Sequence, residues 1–316
     1  MKDLRDFVRL LRDRGQLALI DVPVDPVLEI TEITDRVCKA GGPALLFTRP
    51  KGYDVPVLTN QFGSEERVCL GLRVGSFAEL AARVEQIAFP SFPDSAWKKI
   101  KALGKLKDLA ALQPRLVKEG PCQEVVLTGD QVDLDALPIL KCWPLDGGKY
   151  ITLPLVFTRH PHTGRRNVGM YRMQVYDKRT TGMHWHLHKD GAEHFGATRG
   201  RMEVAVAIGT DPALTYAATA PLPGILDEVA FAGYLRGEAV DMVQCKTVDL
   251  QVPAHAEYVL EGYVEPGELR KEGPFGDHTG YYSLADQYPV FHVTAITHRS
   301  DPVYATTIVG QPPMED

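Results

Sequence analysis

After Cys122 the sequence becomes a succession of short segments in which apolar and polar residues alternate, and this pattern limits the possible folds more than any other. Alternation is the side-chain period of a β-strand with one buried face. Strands are predicted at 124–128, 151–158, 168–176, 182–187 and 204–209, then at 240–245, 257–264, 290–299 and 303–309. Helical spacing interrupts them at 190–198 and 227–236. Many short strands with few helices point to a barrel or a strongly curved sheet. The first third reads differently. Leu4, Phe7, Val8 and Leu11 recur at helical spacing before Gly15, a natural stop. A second helix is predicted over 29–39, and short strands at 44–47 and 55–60 flank the turn Pro50-Lys51-Gly52-Tyr53. Ser76 caps FAELAARVEQIAF, a further amphipathic helix. Prolines at 90, 93, 114 and 121 then bracket a lysine-rich connector, predicted helical over 97–112. The expectation is an α+β chain: a small N-terminal α/β module with its connector over 1–115, then a β-rich domain over 116–316.

With 316 residues, 44% of them hydrophobic, the chain is long enough for one large domain or two ordinary ones. Its net charge of −6 comes from interspersed acids and bases, which argues against a nucleic-acid partner, since that needs a clustered basic face. No apolar run approaches the roughly 20 residues that span a bilayer. The N-terminus lacks a secretory apolar region, so a cytoplasmic location is expected. Five cysteines without a CxxC pair read as reduced, buried thiols.

Chemistry concentrates in the β-rich part. The stretch Asn167 to Asp190 (NVGMYRMQVYDKRTTGMHWHLHKD) reads as a hairpin about the turn Asp177 to Gly182 and carries Asn167, Arg172, His184, His186 and His188. The three histidines alternate, so on one strand they would share a face, but each step is about 7 Å. One or two of them could therefore bind a single metal ion, with other ligands from elsewhere; a solvated polar face is the plainer alternative. Glu228 opens the 227–236 helix, where a carboxylate either satisfies the helix dipole or offers a hard oxygen ligand. The segment EGPFGDHTGYY, Glu272 to Tyr282, surrounds two carboxylates and a histidine with three glycines and a proline. That composition suits a shaped loop better than packing. Two carboxylates near an arginine are what proton transfer beside a bound anion needs. Glu261-Gly262 reads as a structural strand end.

Together LEITEITDRVCKAGGPALLF, NVGMYR, HLHKDGA, LDEVAFAGYLRG and EGPFGDHTGYY, in this order, resemble the UbiD family of reversible, non-oxidative decarboxylases of aromatic and α,β-unsaturated acids. The resemblance implies a split β-barrel, prenylated FMN made by a partner flavin prenyltransferase of the UbiX type, a divalent metal such as Mn2+, and K+. It implies Asn167, His188 and Glu228 as metal ligands. Asn167, Met170, Tyr171, Arg172, His184, Trp185, His186, Lys189 and Asp190 would contact the cofactor. Arg172, Glu272 and Asp277 would be catalytic: Arg172 binding the substrate carboxylate, Glu272 holding Arg172, and Asp277 delivering the proton that replaces CO2. A homo-oligomer follows from the same resemblance. Polyprenyl-hydroxybenzoate as substrate would bring quinone biosynthesis and peripheral membrane association with it. His184 stands where the ubiquinone-pathway enzymes carry arginine, which opens the reading to a dihydroxynaphthoate or another phenolic acid. Family chains continue past VGQPPMED into a C-terminal α/β domain, so a fragment or truncated homologue is expected. Two alternatives stand beside this reading: a metal-dependent hydrolase or cupin-like oxygenase built on the histidine strand, and an inactive binding or assembly fragment.

Overall fold

The structure is a computed structural model that describes residues 1–88, 112–185, 190–198, 200–220, 222 and 227–315. The connector expected at 97–112 lies, apart from Leu112, outside the described residues, as do His186, His188 and Lys189.

Asp3 caps the first helix, Leu4–Asp13, through the Asp6 amide, and the helix buries Leu4, Phe7 and Leu11. A second helix, Glu29–Lys39, follows. The N-terminal sheet runs in the order Leu17–Ile20, Ala44–Phe47, Val57–Thr59, Tyr304–Ala305. Every residue of Ala44–Phe47 is buried, which accounts for its unbroken apolar run: both faces are covered. Two of these features depart from expectation. Leu17–Ile20 pairs parallel with Ala44–Phe47, and Ser64 caps an additional helix, Glu65–Leu72. The sheet is also completed from the far end of the sequence, because Tyr304 and Ala305 pair with Val57 and Leu58. Arg5 ties the first helix to the main sheet through two 3.0 Å bonds to Glu257, which is fully buried.

The main sheet has seven strands. Its path runs Thr180–Gly182, Asp286–His298, Tyr258–Glu272, Met202–Ile208, Leu155–Arg159, Arg166–Met170, with Val125–Thr128 paired alongside Asp286–His298. Alternation sorts Met202–Ile208 between two cores. Val204, Val206 and Ile208 enter one core with Leu260, Val264 and Phe291. Ala205 and Ala207 face the other, where Leu214 of Pro212–Ala217 and Val229, Phe231 and Leu235 of Glu228–Arg236 pack. Small residues on that face let the helices come close. Tyr258–Glu272 is longer than its sequence pattern indicated and continues through Glu261 at a register shift; Glu261 is therefore mid-strand, not at a strand end. Its buried carboxylate accepts from the Lys246 and Thr247 amides.

The expected long hairpin over 168–187 is broken. Its first arm divides into Arg166–Met170 and Met173–Gln174, and its second ends at Gly182. Asp177 still reverses the chain, accepting from the Arg179 and Thr180 amides. Each arm, however, takes its main partner elsewhere, Leu155–Arg159 for one and Asp286–His298 for the other. The two arms thus form opposite ends of one open path, and no ring of paired strands closes among the described residues. His184 consequently lies beyond the strand it was expected to share.

Candidate active site

Glu272 ends the longest strand and is fully buried. Arg172 follows the break after Met170, where the chain is free to turn its side chain inward. Its Nε and Nη2 donate to Glu272 Oε1 and Oε2 at 2.9 and 3.1 Å, a two-pronged guanidinium–carboxylate pair. Nη2 also reaches Ser283 Oγ at 3.2 Å, and the guanidinium lies 4.5 Å over the Phe275 ring. Phe275–Gly276 and Tyr282–Ser283 are the two arms of a short hairpin, so this one element holds the arginine from two sides. His184 Nδ1 is 3.1 Å from Glu272 Oε2, and its ring stacks on Tyr288 at 4.0 Å. Gly182 makes room: a Cβ there would stand 2.7 Å from Tyr176 Oη and 3.3 Å from Glu272 Cγ. Burial alone would push the Glu272 carboxyl up; hydrogen bonds from His184 and Arg172 outweigh it and hold the group below the ordinary glutamate range.

Asp277 sits at the tip of the same hairpin. The Gly276 amide donates to Asp146 Oδ1 at 2.8 Å, and Trp143 lies so close to Gly276 that a Cβ would come within 2.1 Å of its ring. Trp143 Nε1 in turn donates to the Val309 carbonyl at 2.7 Å. Asp277 Oδ1 accepts from the His278 amide and pairs with His278 Nδ1, both at 2.9 Å. Burial raises this carboxyl, but His278, with help from the Arg172 charge, holds it below the usual aspartate range. A cavity of about 210 Å³ opens beside it, lined by Asp277, Trp143, Tyr282 and Gln311 together with Asp35 and Lys39 from the second helix.

The other expected residues fall on the far end of the sheet. Asn167 is buried, and its Nδ2 has no hydrogen-bond partner among the described residues. Glu228, in the first turn of its helix, accepts from the Val168 amide at 3.3 Å. Asp227 caps that helix at the Ala230 amide and pairs with Arg166 at 2.9 Å, so it is structural. The fold therefore brings Asn167 and Glu228 to one place. The Asn167 carboxamide oxygen and the Glu228 carboxylate are hard donors of the kind a divalent cation takes, and the unpaired Nδ2 is free to donate to an anion beside it. His188, expected as the third ligand, is outside the described residues, and these contain no group of three His, Cys, Asp or Glu that could hold a metal.

Met170 lines a largely apolar cavity of about 410 Å³ with Phe62, Thr152, Tyr216, Thr219 and Glu315. Its volume is that of an ordinary small-molecule site. Glu315, which the sequence reading did not single out, accepts from the Phe62 amide and from Thr307 Oγ1, and burial pushes it up to about 7. Tyr171 and Trp185 belong to the main core, and Asp190 begins a helix, Asp190–Ala197. Also unanticipated were Ser283, Tyr288, Trp143 and the pair Asp35 and Lys39. Their approach to the site depends on non-local packing, and no local pattern marks it.

The chain matches the sequence patterns of two domains, the 3-octaprenyl-4-hydroxybenzoate carboxy-lyase N-terminal domain over residues 8–85 and the Rift-related domain of the same enzymes over residues 115–312. It belongs to the UbiD family. Uncharacterized proteins of Archaeoglobus fulgidus and Aquifex aeolicus are 53% and 51% identical across all of this chain. The chain spans 65% and 66% of their lengths. Among solved structures it is similar to the UbiD-class enzyme HmfF from Pelotomaculum thermopropionicum in complex with FMN, with a TM-score of 0.84 and 34% identity over 98% of this chain and 65% of that one. Vanillic acid decarboxylase of Sedimentibacter hydroxybenzoicus in its closed form gives 0.85 and 31% over 100% of this chain and 66% of that one. HmfF is described in complex with FMN and, in an evolved dimeric form, with prFMN; the likeness shows that this chain shares the mixed α/β fold of these UbiD-class proteins. No helix among the described residues is long and apolar enough to cross a membrane.

Proposed function

We propose that this chain is the flavin-binding, catalytic part of a UbiD-type carboxy-lyase that removes CO2, reversibly and without net oxidation, from an aromatic or α,β-unsaturated acid. The observation that carries the reading is the buried Arg172–Glu272 pair with Asp277 on the adjoining hairpin. Glu272 and Ser283 occupy Nε and Nη2 of Arg172, which leaves Nη1 for the substrate carboxylate. Glu272 keeps the guanidinium from swinging, so the carboxylate to be lost is held in one orientation. Asp277, partly exposed and ionised in the open site, takes up a proton and gives it to the carbon from which CO2 departs. Substrate binding assists this, because expelling water raises a carboxyl's affinity for its proton.

Asn167 and Glu228, with His188, would hold a divalent cation such as Mn2+, and K+ would bind near them; the cation would anchor the phosphate of prenylated FMN. When bound, that flavin supplies the electron sink for the pair left by the broken C–C bond. The cavity beside Met170, with its hydroxyl rim, is suited to part of the flavin ring. Only residues 171–179 separate the two end strands of the sheet path, which supports a split barrel that curls around the cofactor. Under this reading residues 1–115 form the N-terminal domain and 116–316 the catalytic one. A flavin prenyltransferase supplies the cofactor, and the whole protein works as a cytoplasmic homo-oligomer. A phenolic acid such as a polyprenyl-hydroxybenzoate or a dihydroxynaphthoate is the substrate class.

The test is anaerobic co-expression of the whole protein with a flavin prenyltransferase, followed by CO2 release from a panel of aromatic acids. Bound modified-flavin absorbance with CO2 release from at least one acid is expected. A colourless protein, inactive on the whole panel, would overturn the proposal.

A further inference from the structure

Beside its expected contact with the cofactor, His184 has a carboxylate neighbour, Glu272. We propose that His184 is a positioning residue that fixes the Glu272 carboxylate for Arg172; the purpose of that arrangement rests on the functional reading above, but the arrangement itself does not.

Glu272 is fully buried, and a buried carboxylate is costly unless its oxygens are paired. Arg172 takes one lone-pair direction on each oxygen. His184 Nδ1 takes a second on Oε2, at 3.1 Å. An ionised carboxylate can only accept, so Nδ1 must carry the hydrogen. Two contacts hold the imidazole in place: its ring stacks on Tyr288 with an interplanar angle of 26°, and its own amide donates to the Arg172 carbonyl at 3.3 Å. The histidine and the arginine that grip Glu272 are therefore bonded to each other through the backbone.

The other titratable groups around the pair are Tyr150, Tyr176 and Tyr288, with Asp146, Arg270, Asp277 and Asp286 further out. Burial pushes all three phenols up, Tyr176 to about 12, so they stay neutral, and none of them donates to Glu272. Among the described residues, Arg172 and His184 are the two side chains that donate hydrogen bonds to Glu272. Without His184, Glu272 would take up a proton more readily. A protonated Glu272 donates from one oxygen, which breaks one prong of the Arg172 pair and frees the guanidinium to turn.

Two variants separate positioning from mere packing. His184→Phe keeps a ring on Tyr288 and loses the donor; His184→Asn keeps an amide donor near the position of Nδ1. In the protein without flavin, the Glu272 carboxyl is followed by its 13C resonance, assigned by its loss in Glu272→Gln. We expect the titration midpoint to rise by at least one pH unit in His184→Phe and to return to within about 0.3 units of wild type in His184→Asn. In the loaded enzyme the acidic limb of kcat/KM should move up in step in His184→Phe and return in His184→Asn, while the alkaline limb stays. Equal midpoints in wild type and His184→Phe would overturn the proposal. Should that variant not fold, the 15N shifts of His184 in the wild-type protein decide: an unprotonated Nδ1 overturns it. If the loaded wild type shows no turnover, the functional reading fails, and the two resonance measurements still judge His184.

Discussion

Replacing Glu272 by glutamine keeps the side chain's shape and removes its charge. The carboxylate accepts from Arg172 at 2.9 and 3.1 Å and from His184 at 3.1 Å. An amide has one acceptor oxygen, so it can keep part of this set and must present an NH2 group to the rest. Arg172 has a side-chain exposure of only 13%, and its charge would be left largely uncompensated. Removing one partner of a buried pair costs about 3–5 kcal/mol, and the isosteric change places this case near the lower value. Turnover should suffer more than folding. Misplacing a group that orients the reacting carboxylate, next to a proton donor, costs roughly 10²–10⁴ in rate. The assay is paired: flavin uptake by absorbance, then kcat on the same sample. Flavin should still bind, because Asn167 and Glu228 lie at the other end of the sheet, while kcat falls by at least about 100-fold. A kcat within a few-fold of wild type would remove Glu272 from the mechanism. Parallel loss of flavin and turnover would move it to the cofactor site.

Other substitutions test neighbouring parts of the account. Gly182→Ala places a Cβ 2.7 Å from Tyr176 Oη and 3.3 Å from Glu272 Cγ, so kcat should drop while melting changes little; unchanged kcat would mean that Glu272 tolerates displacement. Glu228→Gln should weaken Mn2+ binding by at least about 10-fold in a calorimetric titration, since a charged ligand is lost; unaltered affinity would place the metal elsewhere. Glu315 is a half-buried acid on an apolar cavity wall, raised to about 7, so the folded protein holds a proton there that the unfolded chain releases above about 4.3. Its contribution therefore falls as pH rises from about 4.3 to 7, and Glu315→Gln should raise the melting temperature at pH 8 more than at pH 5. Equal shifts at both pH values would contradict that raised affinity for a proton.

Local signals were legible where they were strong. Glu29–Lys39 and Ala44–Phe47 carry clean helical and strand patterns, and the helix read over 227–236 forms over Glu228–Arg236, with Asp227 outside it as the cap. Leu17–Ile20 was missed because LALI is apolar throughout and shows neither period. Glu65–Leu72 was missed because its buried face includes Arg67 and Gly71 as well as Cys69 and Leu72, which blurs any apolar stripe. Within the candidate site, the sequence marked Arg172, Glu272 and Asp277, and the fold places Arg172 on Glu272 across 100 residues. It did not reveal that the strand ends at Gly182. Nothing in HWHLH distinguishes a histidine facing a metal from one facing a carboxylate 88 residues away. Trp143 against Gly276 is of the same kind: the glycine is visible in sequence, and the ring that needs it is not.

The central claim is that Arg172, Glu272 and Asp277 exchange a carboxyl group for a proton. Its most direct test is decarboxylation in D2O by the loaded whole protein, with the product analysed by mass spectrometry, for the wild type and for Asp277→Asn. The account predicts one deuterium at the vacated carbon for each CO2 released by the wild type. It predicts a rate lower by at least about 100-fold in the variant, with bound flavin retained. CO2 release by Asp277→Asn at the wild-type rate, with the same deuterium incorporation, would contradict it.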